Sequence, residues 1–198
     1  MSVSEILEKE LSDYGLSVSH NMKQRLALYV RELEHWNRTV NLTSLRGAEL
    51  VRRLIVEPAW VGQELQLSGK LADIGSGNGS PGVPLYVTRK LTRVHLVEAR
   101  SRRAAFLRHI ANQLDGREIT VHKTRVEDLD PPLERVEWIT LQAVNPTAVL
   151  LRAMRRLFHP TTRVVWITGR ATEPTRGASR ICIPRSSTEV WVFQLDQS

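Results

Sequence analysis

Apolar positions in the first third of the chain recur every three or four residues; further on they come in short blocks. Ile6, Leu7, Leu11 and Tyr14 share one helical face, behind a Ser2–Glu5 pair with capping-box spacing. A second stripe, Met22, Leu26, Tyr29, Val30, Leu33 and Trp36, predicts a helix starting near Ser19. Asn37 to Ser44 breaks the rhythm. Gly47 to Gln66 reads as a further helix, which Pro58 should interrupt because it lacks the N–H of a helix interior. From Lys70 onward, strands alternate with helices. Leu71–Ile74, Val94–Val97, Ile119–His122, Trp138–Leu141, Val164–Ile167, Ile181–Ile183 and Val190–Leu195 read as strands. Ser101–Leu114 and Pro146–Phe158 read as helices, with Pro146 in a first turn. This alternation predicts an α/β fold, a mostly parallel sheet of seven strands with helices on both faces. Ligands of such sheets bind beyond the carboxyl ends of the strands. Residues 1–65 form an N-terminal helical cap in this reading, and residues 66–198 the sheet unit.

The length of 198 residues suggests one domain with a small appendage, at roughly 150 residues per domain. Cys182 is the lone cysteine, which excludes an internal disulfide and a multi-cysteine zinc site. No apolar run approaches the roughly 20 residues of a membrane helix. The start, MSVSEILEKELSDYG, is acidic and unlike a secretory signal, so a cytoplasmic, monomeric protein without membrane contact or bound metal is expected.

Charge adds a direction. The net +7 is absent from residues 1–70, which carry nine basic and nine acidic side chains. It builds up over 71–130, ten against seven, and 131–198, nine against five. A polyanionic partner facing the C-terminal two thirds is one reading, and simple solubility is the other. Arg100, Arg102, Arg103, Arg108 and His109 lie on or beside one helix and read as a solvated face. Arg170, Arg176, Arg180 and Arg185 punctuate a Gly/Pro/Ser/Thr-rich stretch that reads as a loop with phosphate contacts. Trp60, Trp138, Trp166 and Trp191 read as core, while Trp36 fits either core or base stacking.

The strongest local signal is Asp73-Ile74-Gly75-Ser76-Gly77-Asn78-Gly79-Ser80-Pro81-Gly82, between a strand and a helix. Glycines there let the backbone turn sharply and approach a ligand. Ser80 holds the third glycine position of the dinucleotide fingerprint, which disfavours a nicotinamide cofactor. No Gly-Lys-Ser/Thr follows, which argues against a nucleotide-binding P-loop. Glu98 closes the next strand, where its carboxylate can accept hydrogen bonds from both ribose hydroxyls of a nucleoside. A structural turn and an ordinary surface charge are the plain alternatives. The pair is more specific than either part.

Together these features resemble the S-adenosylmethionine-binding core of class I, Rossmann-like methyltransferases. Further segments narrow the resemblance. Trp36-Asn37-Arg38-Thr39-Val40-Asn41-Leu42-Thr43, Gly79-Ser80-Pro81-Gly82-Val83-Pro84-Leu85, Glu98 to Leu107 and Arg125-Val126-Glu127-Asp128 occur in that order. They are similar to signatures of the bacterial 16S rRNA guanine-N7 methyltransferase family, also called glucose-inhibited division protein B. The resemblance runs from about residue 20 to about 170. It implies S-adenosyl-L-methionine as cofactor and small-subunit rRNA or the 30S particle as partner. It further implies a cofactor site of Asp73, Gly75, Ser76, Gly77, Gly79, Glu98, Ala99, Arg125, Val126, Glu127 and Gln142, and Glu57 as the catalytic residue.

The chain departs from the family at several polar positions. Leu54 stands where a His is usual, Pro58 for a Ser, Gln142 for an Arg and Thr168 for a Lys. Asn78 occupies a turn position that is usually small. The second reading is therefore a divergent relative that keeps the fold and binds cofactor or RNA without catalysis, or methylates another substrate. Asn145-Pro146 touches on the Asn-Pro-Pro-aromatic motif of amino-methyltransferases, but Thr147 and Ala148 break it.

Overall fold

The computed structural model describes residues 1–130, 133–169, 173–175 and 177–195. Helix α1 (Val3–Asp13) starts at Ser2, whose hydroxyl accepts from the Glu5 N–H while the Glu5 carboxylate accepts from the Ser2 N–H. The expected capping box is formed. Helix α2 (His20–Trp36) is capped by Ser19, whose hydroxyl accepts from the Met22 N–H.

The helix expected over 47–66 is corrected. Helix α3 (Gly47–Val51) passes through a π-turn (Arg52–Val56) into α4 (Glu57–Glu64). The Glu57 N–H reaches back to the Arg52 carbonyl, one residue further than in an α-helix. Pro58 then falls in the first turn of α4, where its missing N–H leaves no bond unmade.

The sheet follows. Its elements are β1 (Ser68–Ile74), α5 (Gly82–Thr88), β2 (Lys90–Val97), α6 (Ser101–Gln113), β3 (Ile119–His122), β4 (Trp138–Gln142), α7 (Ala148–Leu157), β5 (Arg163–Thr168), β6 (Ser179–Cys182) and β7 (Glu189–Gln194). A short 3₁₀ turn, Val126–Asp128, follows β3. Strand order is β3-β2-β1-β4-β5-β7-β6. Neighbours from β3 to β5 are parallel, and β7 runs antiparallel to both β5 and β6. The expected doubly wound, mostly parallel, seven-stranded sheet is therefore present. Its order reverses between β1 and β4, where a crevice opens at the carboxyl ends.

Boundaries differ where burial gives no pattern. β1 and β2 begin before the buried blocks, at Ser68 and Lys90, on exposed residues. α7 begins at Ala148, with the Thr147 hydroxyl accepting from the Leu150 N–H, so Pro146 lies ahead of the cap. β6 spans Ser179–Cys182 rather than 181–183, and lies within the stretch expected as a loop.

Alternate strand residues feed two cores. Leu71, Val94, Leu96, Val165 and Ile167 face the helices α1 to α6, packing with Leu7, Leu26, Leu33, Ile55 and Phe106. Ala72, Ile74, Val97, Ile139, Leu141 and Trp166 face the other way, onto Met154 and Leu157 of α7. Each fully buried Leu or Ile contributes roughly 1.5–3 kcal/mol, so the helical segment is held to the sheet by the first core. Trp138, Trp166 and Trp191 are buried, as expected; Trp60 is half-buried at the edge of the first core, and Trp36 is half-buried against Phe106 and His109. Among the described residues, no helix is long and apolar enough to cross a membrane.

Two histidines sit in the β2–β3 edge. His95 Nδ1 lies 3.0 Å from His122 Nε2, and His95 Nε2 is buried without a hydrogen-bond partner. Burial, with the charges of His122 and Arg93 adding, pulls the His95 pKa down to about 4, although Glu134 opposes the shift. The unfolded chain protonates this side chain near its ordinary 6.5, while the native state refuses the proton until about 4. Stability should therefore fall as the pH drops through that window. Urea unfolding between pH 7 and pH 4 should show a shallower decline for His95→Gln than for the wild type; equal declines would contradict this assignment.

Candidate functional site

β1 delivers the chain into the glycine turn. Gly75, Gly77 and Gly79 all have positive φ, at 75°, 50° and 97°. A side chain at Gly75 would meet Val144 Cγ2 at 2.6 Å, so both conformation and space demand glycine there. The Gly75 and Ser76 N–H groups donate to the Val97 carbonyl at 2.8 and 3.0 Å, folding the turn over the end of β2. Glu98 is the next residue after that strand. Its Oε2 accepts from the Gly77 N–H at 3.0 Å and its Oε1 from the Arg100 N–H at 2.7 Å. A carboxylate offers about four lone-pair directions, so Glu98 can still accept from a diol in the cleft.

A cleft of about 610 Å³ opens in front of this turn, at the carboxyl end of the sheet. That volume is in the range of roughly 300–1,000 Å³ usual for small-molecule sites. One wall is the segment Leu42–Leu45 from the helical region. Asn37 builds that wall: its Oδ1 accepts from the Leu42 and Thr43 N–H groups at 2.7 and 3.0 Å, and its Nδ2 donates to the Thr43 carbonyl at 2.8 Å. Arg103 reaches across from α6 to donate to the Asn41 carbonyl. The π-turn supplies Arg53 and Leu54, β4 ends in Gln142, and Thr188 closes the far side. Among the described residues, Arg53, Arg100 and Arg103 line the cleft together with Glu98, so its basic side chains suit an anionic group such as a carboxylate or phosphate.

Gln142 takes a structural role here. Its Oε1 lies 2.7 Å from Ser80 Oγ, which is also 2.8 Å from the Leu54 carbonyl, and its Nε2 donates to the Arg53 carbonyl at 3.4 Å. The amide thus spans the glycine turn and the π-turn. A similar device lies beneath Thr188. Glu57 is 1% exposed, and its two oxygens accept from Ser186 Oγ at 2.6 Å and Thr188 Oγ1 at 2.8 Å, with Arg53 Nε at 3.8 Å.

The structure brings together Gly75, Ser76, Gly77, Glu98 and Gln142 of the expected residues. Asp73 sits behind the turn, fully buried, with Oδ1 accepting from Thr140 Oγ1 at 2.7 Å and Oδ2 unpartnered. Gly79 is likewise interior, and Ala99 is exposed outside the lining. Arg125 is exposed, Val126 belongs to the second core, and the Glu127 carbonyl accepts from Arg156; none of the three lines the cleft. Glu57 stands behind the wall as well, and Arg53 and Thr188 are the residues it presents. Arg180 is paired with Glu189 at 2.9 Å, and Arg185 donates to the Asp13 carbonyl, so both hold structure rather than face the cleft. Arg170 and Arg176 lie outside the described residues. Sequence reasoning missed the lining by Thr43, Arg53 and Thr188; the Asn37 motif was visible, but not that it folds a wall.

The family model described as GidB, rRNA small subunit methyltransferase G, matches residues 22–187. A ribosomal RNA small subunit methyltransferase G from Xanthomonas oryzae is 34% identical over 160 residues, covering 80% of this chain and 73% of that protein. The same enzyme from Granulibacter bethesdensis is 39% identical over 145 residues, covering 72% of this chain and 66% of its own length. In fold, the chain is similar to the crystal structure of an RNA methyltransferase from Salinibacter ruber in complex with S-adenosyl-L-homocysteine. That likeness has a TM-score of 0.53 and 13% identity, over 84% of this chain and 91% of the other.

Asp73 yields a pH prediction. Burial pushes its pKa from 3.8 up to about 7, against the pull of the Thr140 hydrogen bond, while the charge of Glu98 raises it further. Between those values the unfolded chain is ionised and the native carboxyl is not, so this group's contribution is lost as the pH rises through about 7. Asp73→Asn cannot ionise. Its denaturation midpoint relative to wild type should improve from pH 5 to pH 8; a constant difference would contradict the raised pKa.

Proposed function

Because the chain belongs to the rRNA small subunit methyltransferase G family, we propose that it transfers a methyl group from S-adenosylmethionine to guanine N7 in 16S rRNA. The observation that carries the cofactor half of this reading is the shared geometry of the glycine turn and Glu98. Both open into one cleft, where Glu98 keeps unused acceptor directions. When bound, S-adenosylmethionine supplies an electrophilic methyl group on a sulfonium sulfur. Glu98 would hold its ribose hydroxyls, and the backbone of Gly75 to Gly77 would pass beside its methionine end.

Guanine N7 carries an in-plane lone pair and no proton, so no side chain has to act as a base. The task left to the protein is positioning and the exclusion of water. Leu42, Leu45, Leu54, Val144 and Ile167 provide apolar lining for that purpose. Arg53, Arg100 and Arg103 would hold rRNA phosphates, contacts that orient a substrate without reading its sequence. Glu57 fits a positioning role through Arg53 and Thr188, since its carboxylate is buried behind the residues that line the cleft. Cytoplasmic location and a monomeric state accord with a ribosomal substrate and with a cleft formed within one chain.

The second reading is a relative that binds the cofactor without transfer; Leu54 and Gln142 favour it, because neither brings a cation to hold the substrate beside the methyl group. One experiment separates the two. Incubation with labelled S-adenosylmethionine and 30S particles or naked 16S rRNA, followed by nucleoside analysis, should yield 7-methylguanosine. Cofactor binding without labelled product would support the second reading. For the site, calorimetry should show Glu98→Ala weakening cofactor binding by ~1–3 kcal/mol through lost charged hydrogen bonds. An unchanged affinity would remove Glu98 from the site.

A further inference from the structure

Tyr29, on α2, is fully buried in the core beneath the glycine turn. Its hydroxyl donates to the Asn78 carbonyl at 2.9 Å. The contact is close-fitting: a Cβ built on Gly79 would lie 3.2 Å from Tyr29 Oη. Burial pushes the phenol pKa well above its ordinary value, so the O–H remains a donor throughout the physiological range.

The same turn is held on its other side by the sheet. Gly77 donates to Glu98, and Gly75 and Ser76 donate to the Val97 carbonyl. The helical region makes a second contact to Asn78, whose Nδ2 donates to the Leu42 carbonyl at 3.5 Å. A run of glycines at positions 75, 77 and 79 has many conformations open to it, and this one is selected by what grips its carbonyls and amides. Without the phenol hydroxyl, the Asn78 carbonyl keeps no partner of similar quality on the cap side. The binding-competent fraction of the turn would fall, and apparent affinity would fall in proportion.

We propose that Tyr29 is a positioning residue for the cofactor site: from the helical region, its hydroxyl holds the glycine turn in the shape that receives S-adenosylmethionine. This rests on the reading of the turn as the cofactor site. It also makes the helical region part of cofactor binding, beyond its place beside the substrate.

Tyr29→Phe tests the point, because it keeps the ring and removes only the hydroxyl. The comparison variant is Leu11→Ala on α1, a core truncation in an element that packs on α2, α3 and the π-turn. S-adenosylhomocysteine is titrated into wild type and both variants by calorimetry, with thermal melts alongside. The Kd of Tyr29→Phe should rise by about 3- to 10-fold, the size of one neutral hydrogen bond. Leu11→Ala should melt lower yet keep the wild-type Kd, and the KM for 30S particles should not move in Tyr29→Phe. A Kd unchanged in Tyr29→Phe would overturn the inference alone. So would equal weakening in both variants, which would reduce the effect to general destabilisation. Absence of binding by the wild type would overturn the cofactor reading and this inference with it.

Discussion

Two backbone N–H groups converge on the Glu98 carboxylate, one from the glycine turn and one from the start of α6. Glu98 is 6% exposed, and a carboxylate this far from water needs charge-assisted partners. Each such bond contributes roughly 1.5–3 kcal/mol. In return the carboxylate fixes where two loops lie relative to each other. The turn after β1 cannot shift without unpairing the acid after β2. The cleft exists because these two strand ends are adjacent in a parallel sheet and are locked at their tips.

The remaining walls are set by similar bonds from elements distant in sequence. Asn37 folds Leu42–Leu45 into one side, Gln142 joins the glycine turn to the π-turn, and Glu57 ties Arg53 to Thr188. The π-turn itself reconciles a local conflict. Pro58 forbids a regular α-helical bond, and the wider turn before it accommodates this while placing Arg53 and Leu54 at the cleft. Gln142, which departs from the family pattern, is thus a structural strut here, and the cationic lining comes from Arg53, Arg100 and Arg103.

The fold was legible because burial on both faces of a parallel sheet writes continuous apolar blocks, as in Val94–Val97 and Val164–Ile167. The exposed leading residues of β1 and β2 write no such block, and were missed. Within the site, Gly75, Gly77 and Glu98 were readable because conformation or strand position restricts them. Asp73 was placed correctly in the chain, but sequence cannot say that its side chain turns inward to Thr140. The resemblance implies Glu57 as the catalytic residue; the two hydroxyls that bond its carboxylate come from about 130 residues downstream and are not visible from its own segment. Arg180 and Arg185 take partners, Glu189 and the Asp13 carbonyl, that only tertiary contact sets.

A ligand footprint addresses the central claim, that one cleft in front of the Glu98-locked turn is the cofactor site. Hydrogen–deuterium exchange of the intact protein with and without S-adenosylhomocysteine should show slowed exchange at Gly75–Ser80 and at Glu98–Arg103. Helix α1, none of whose residues lines the cleft, should be unaffected. Protection that spares the glycine turn, or that falls elsewhere, would contradict the account.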